Sequence, residues 1–348
     1  AVIPLLGAQV LWERATPLAA ARPQLHSFVT HAVLAVPVVA LVLLLYARLP
    51  ADLLWLAPAW AALALALVAT GAQLGWGAWR SAGHALLTLA VARTAFYNLG
   101  NKPELAWLGA RLASTLAVLG GLAGVAASAQ PPVRDVWRFT GVGVVVLLLL
   151  REVDPAAVSP AWAALALALV LAERLGRLGW WLPAAHAVAT LAFLRALAFD
   201  VVGGEAGWGV AATVVLLLAG WAAQRLTDTG EEATTLAESF QRARVGWLAA
   251  GAALLAAHLT DAADGTMLTV AWSLEGLGLV AAGFALSERP ARAGGLLGLS
   301  LCVLKLFLLD LSGLQGFARV LSFLVLGIVL IAVSFAYTRF KDRLERLL

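Results

Sequence analysis

Apolar runs close to 20 residues long, each ended by a short polar, glycine or proline break, succeed one another along almost the whole chain. An α-helix needs about 20 such residues to cross the hydrocarbon of a bilayer. The pattern predicts helices over 28–48, 54–74, 79–98 and 105–126, then over 136–151, 157–173, 181–200 and 207–224. A last group follows over 243–258, 267–286, 291–311 and 316–338. These twelve spans form three groups of four, here called a, b, c and d within each group. The one long polar break, 225–242, reads as a surface loop or an amphipathic turn.

Rare residue types recur in register with this grouping. A tryptophan is followed 33 residues later by a basic residue and 38 later by Asn or Asp, giving Trp60/Arg93/Asn98, Trp162/Arg195/Asp200 and Trp272/Lys305/Asp310. The 102-residue offset between the first two sets also places Pro58 on Pro160, Gly77 on Gly179, Trp79 on Trp181 and His84 on His186. An internal repeat is the expectation, and four spans per unit return the chain to the same side, so the copies are parallel. The expected organisation is a remnant of an upstream helix and a linker over 1–27, repeat one over 28–126 and repeat two over 127–224. The 225–242 loop, repeat three over 243–338 and a basic tail over 339–348 complete it.

Composition turns this pattern into a class. With 62% hydrophobic residues, 13% charged and a mean hydropathy of +0.90, the chain has far too much apolar surface for a water-soluble domain. An all-α polytopic membrane protein of about 12 transmembrane helices is the expected fold. The net charge of +4 is spread over many loops instead of gathered on one face, so nucleic acid is not an expected partner. Membrane lipids are, together with other membrane or envelope proteins. A single cysteine, Cys302, excludes an intramolecular disulfide. His26 and His31 are five apart on different helix faces, and no metal site or cofactor is expected.

The distribution of charge sets the expected orientation. Sixteen Lys and Arg, among them Arg80, Arg134, Arg225, Arg244, Arg289 and Arg292, fall on the side of the b–c and d–a connections and the C-terminus. Only Arg48, Lys102 and Arg151 fall opposite. Positive charge stays inside, so the C-terminus is expected in the cytoplasm. The five remaining basic residues, Arg93, Arg111, Arg195, Lys305 and Arg319, lie within helices c and d near their outer ends.

Charge in hydrocarbon-like sequence is costly and makes these positions the candidate site. On an ideal α-helix residues five apart point about 140° apart, so each basic residue and its Asn or Asp are expected to meet different neighbours. The third repeat is the richest, with Glu275 three residues after Trp272 and with Lys305, Asp310, Arg319 and Ser322 around one hairpin. Arg111 and Ser114 repeat the Arg319/Ser322 spacing in the first repeat. Glu275 is expected to be the deepest of the charges, either paired with Lys305 or Arg319 or carrying a proton. The candidate substrate-binding set is therefore Glu275, Lys305, Asp310, Arg319, Ser322, Arg195, Asp200, Arg93, Asn98 and Arg111. Trp60, Trp162 and Trp272 are expected to be interface anchors in an aromatic belt, and Pro58 and Pro160 to open the b helices.

The stretches AWSLEGLGLVAAG and LKLFLLDLSGLQGFARVLSFLVLGIVLIAVSFAYTRF resemble the closing signature of a bacterial family of multi-spanning membrane proteins, domain of unknown function 2339. The matching positions include Trp272, Glu275, Lys305, Asp310, Gly313, Gly316, Arg319 and Ser322, while the AYTRF ending departs from a more polar Tyr-Gln-Arg. The resemblance implies a bacterial inner-membrane location, a longer parent protein and no established activity. Three functions remain open at this point. The chain is a carrier with an outward-facing polar pocket for an anionic or lipid-derived envelope substrate, a non-catalytic scaffold whose charges are structural, or a membrane-embedded transferase or hydrolase with Glu275 or Asp310 as base.

Overall fold

The computed structural model describes residues 38–39, 42, 54–99, 108–176, 181–204, 207–227, 235–263, 265–306 and 331, and the described residues contain helices and no strand. Ten α-helices follow in order: α1 (Leu56–Leu74), α2 (Gly77–Arg93), α3 (Leu108–Ser128), α4 (Val133–Glu152) and α5 (Pro155–Gly176). The rest are α6 (Trp181–Arg195), α7 (Trp208–Thr227), α8 (Thr235–Ala262), α9 (Gly265–Ala285) and α10 (Arg289–Lys305). They fall on ten of the twelve spans expected from the hydrophobic pattern, while most of the first span and nearly all of the last lie outside the described residues. Seven described helical stretches are long and apolar enough to cross a membrane.

Two boundaries differ from expectation. Helix α8 starts at Thr235, so eight residues of the segment read as a loop are helical. The stretch, TLAESFQR, is polar, but five of its eight residues, Leu, Ala, Glu, Gln and Arg, are good helix formers. Pro160 does not open its helix but sits inside α5. The helix begins earlier because Asp154 caps it, its Oδ1 accepting the Ala156 N–H at 2.9 Å ahead of a proline suited to a first turn.

Packing divides the chain into two units, 1–162 with 175–188 and 163–174 with 189–348. In the first, α1 lies against α2 and α3, and α3 against α4. Ala57, Ala61 and Ala64 of α1 are fully buried with Leu87 and Ala90 of α2 and Val118 and Val125 of α3. Small residues make this approach possible, as is usual between helices in lipid. In the second, α7 pairs with α8 around Val210, Val214 and Leu254, and α9 pairs with α10.

The α1–α2 and α9–α10 hairpins share local geometry at a spacing of 212 residues. Trp76 N–H bonds to Gly71 O at 2.9 Å, and Glu288 N–H bonds to Gly283 O at 2.8 Å. The residue before each donor is left-handed, Gly75 at φ 74 and Ser287 at φ 56. This is the helix-ending motif that glycine satisfies without strain. A serine there carries a Cβ penalty, so Ser287→Gly is expected to raise stability by about 1 kcal/mol. An unfolding midpoint in detergent that fails to rise would contradict that account.

Candidate functional site

The C-terminal ends of α2, α6 and α10 carry a feature absent from the sequence pattern. Immediately after Arg93 the chain makes a π turn, Thr94–Asn98, closed by Leu99 N–H on Thr94 O at 2.9 Å. After Arg195 it makes another, Ala196–Val201, with Val202 N–H on Leu197 O at 3.0 Å. Leu306, directly after Lys305, has π geometry too. Such turns are rare, and they concentrate at positions under functional or packing constraint. In the first of these turns the Thr94 hydroxyl bonds to Ala90 O at 2.9 Å and competes for a ladder carbonyl, a known source of helix distortion.

The π turn changes which residues meet. Its backbone bonds join residues five apart, so positions i and i+5 come to lie on one side of the helix. Arg195 Nη1 accordingly reaches Asp200 Oδ1 at 2.8 Å, with both side chains almost enclosed. The expectation of two separate neighbours is wrong for this pair, because it assumed a regular α-helix. Asn98, after Arg93, has no charge to offer and does turn to other elements. Its Nδ2 donates to Leu54 O at 3.2 Å and lies 3.4 Å from Ser114 Oγ. Arg93 instead stands 4.3 Å from the Tyr97 ring and 5.9 Å from Trp60, and Arg195 stands 5.7 Å from Phe199 at the position matching Tyr97.

Arg111 is buried at the start of α3 and pairs with Glu152 at the end of α4, 2.8 Å away. Ser114 and Thr115 are fully buried beside it, each donating to the Arg111 carbonyl at 2.9 Å. Glu152 was missed by sequence reasoning. Its signal was present as a lone acid closing an apolar run at the same expected depth as Arg111.

At the end of α10 Lys305 Nζ donates to Thr269 Oγ1 of α9 at 2.6 Å. Glu275 is half-buried and has neither an ion pair nor a hydrogen bond among the described residues. It is not the deepest charge, since Asp200 is 3% exposed. The close contact of α9 with α10 passes through Gly276 and Gly295, next to Glu275 and not through it. Asp310, Arg319 and Ser322 lie outside the described residues, so of the five residues expected around this hairpin the structure describes Glu275 and Lys305.

The tryptophans tie helices together. Trp162 Nε1 donates to Val146 O at 3.0 Å and Trp272 Nε1 to Ala256 O at 3.1 Å, each reaching 16 residues back into the preceding helix. Trp162 is 7% exposed, so it is held inside the bundle instead of facing lipid as an interface anchor. A buried indole N–H needs an acceptor, and a helix carbonyl has a second lone pair to give. Trp60 is half-buried beneath Arg93.

The opposite ends of the helices carry a second set of charges. Glu288, before α10, is approached by Arg244 of α8 at 3.4 Å and Arg225 of α7 at 3.7 Å, and Arg225 also donates to Leu286 O. This joins the α7–α8 ends to the α9–α10 turn, two connections that charge counting had placed on one side.

An all-helical protein with several membrane-capable helices is a polytopic membrane protein. Its C-terminal part, residues 244–340, matches the family described as Predicted membrane protein (DUF2339). No curated protein and no solved structure matches the chain.

Proposed function

We propose that this protein is a non-catalytic membrane scaffold or complex subunit, built as three parallel four-helix repeats in a bacterial inner membrane with its C-terminus in the cytoplasm. The observation that carries this reading is the engagement of the outer-end charges inside their own units. Arg111 takes Glu152, Arg195 takes Asp200, Lys305 takes Thr269 and Arg93 takes two aromatic rings. Polar groups used this way hold helices in register within lipid. The repeat architecture is supported by the recurring π turns, the indole bonds at a constant reach of 16 residues and the two hairpins 212 residues apart.

The carrier reading keeps one specific support. Glu275 is half-buried on a membrane-capable helix without a partner among the described residues, as an exchangeable ligand or proton site would be. Lys305→Met separates the two readings. If Lys305 is a tie, losing its charged hydrogen bond lowers stability by about 1.5–3 kcal/mol. If it serves a substrate, the variant unfolds at the wild-type midpoint in detergent, and the scaffold reading fails.

A further inference from the structure

At the outer end the charges are engaged, whereas at the opposite end of the first unit basic charge gathers without acid. Arg80 lies in the first turn of α2 and Arg134 in the first turn of α4. The two helices are locked together one turn further on. There His84 Nδ1 accepts a hydrogen bond from Trp137 Nε1 at 3.0 Å, and the rings stack with centroids 5.8 Å apart at 14°. Both helices start from this end, since α1 to α4 alternate in direction. Arg80 precedes His84 by four residues and Arg134 precedes Trp137 by three, so both arginines lie one turn back from that contact, toward the same end of the unit.

No acid serves them among the described residues. Asp135, the nearest carboxylate in sequence, is taken by Arg138 at 3.3 Å. Arg244, which stands 110 residues after Arg134 and within α8, meets Glu288 at 3.4 Å, and Arg134 has no such partner among the described residues. Arg134 is half-buried, with its Nε enclosed and unbonded, and Arg80 is exposed. Trp79, next to Arg80, also holds a buried indole N–H without an acceptor. Enclosed donors without acceptors are rare in native proteins, and an anion is a group that would satisfy these, which have none among the described residues.

We propose that Arg80 and Arg134 bind a phosphate group at the membrane surface, as carried by the headgroup of an anionic phospholipid or by free phosphate. Planar guanidinium forks suit phosphate oxygens, and basic residues between helix ends are placed where headgroup phosphates lie. This site is independent of the scaffold reading and of the charges at the outer end.

The test compares the full chain with its Arg80→Gln/Arg134→Gln variant in phosphatidylcholine nanodiscs with and without phosphatidylglycerol, counting retained lipid by native mass spectrometry. Retention of phosphatidylglycerol is expected to weaken about fivefold for each arginine removed. Arg151→Gln removes the same charge from the opposite end and is expected to leave retention unchanged. Inorganic phosphate that displaces the lipid from the wild type, but has no effect on the variant, identifies free phosphate as a ligand of the same site. Equal retention by wild type and double variant overturns the proposal. Should the double variant not fold, Arg80→Gln alone carries the comparison, because Arg80 is exposed and its loss leaves the His84–Trp137 contact intact.

Discussion

Arg195→Met is expected to destabilise the protein by about 3–5 kcal/mol, the usual loss when one member of a buried ion pair is removed. The pair is short, 2.8 Å, and its side chains are 13% and 4% exposed, so solvent screens it little. Removing the guanidinium takes from Asp200 its direct counter-charge in a setting where an isolated carboxylate is poorly solvated. Asp200→Asn places there the residue found 102 positions earlier, Asn98, and should also destabilise, by leaving Arg195 without its counter-charge. The double change Arg195→Met/Asp200→Leu is expected to recover to within about 1 kcal/mol of wild type, because apolar replacements of a buried pair are often neutral. Equilibrium unfolding in mixed micelles, arranged as a double-mutant cycle, measures the coupling. Single variants that unfold like the wild type would remove the main support for structural charges.

The placement of the helices could be read from the sequence because bilayer thickness imposes a length on apolar runs and turn residues punctuate them. Leu56–Leu74 and Trp208–Thr227 lie within a few residues of their expected bounds for that reason. The direction of the intramembrane charges could not be read in the same way. Sequence periodicity assumes 3.6 residues per turn, and a single π turn after Arg195 is enough to swing Asp200 back onto it. The acceptors of Trp162 and Trp272 were equally hidden, since a backbone carbonyl 16 residues away leaves no trace in residue identity. The asymmetry among the three Trp/basic/Asn-or-Asp sets, by contrast, was visible. Only the third carries an acid three residues after its tryptophan, and that acid, Glu275, has neither an ion pair nor a hydrogen bond among the described residues.

Gly83→Ala and Gly295→Ala are each expected to lower stability by about 1–3 kcal/mol through overpacking. A Cβ on Gly83 would stand 2.6 Å from Val68 Cγ2 and 2.8 Å from Ala64 O, and one on Gly295 would stand 2.7 Å from Val280 Cγ2 and 2.5 Å from Gly276 O. Backbone oxygen atoms cannot swing aside as a long side chain would, so the hairpin must open. Gly141→Ala and Gly278→Ala, where a Cβ meets nothing within 4 Å, are the controls. Those changes should be neutral or stabilising by up to about 1 kcal/mol, since alanine is the better helix former. Val68 and Val280, Ala64 and Gly276, and Gly83 and Gly295 are each 212 residues apart, so the two hairpins place the same three positions in the same contact. Closely similar losses in the two variants would follow from that equivalence. A large loss at Gly83 with none at Gly295 would mean that α9 and α10 can separate where α1 and α2 cannot, and the proposed repeat would then hold in sequence without holding in packing.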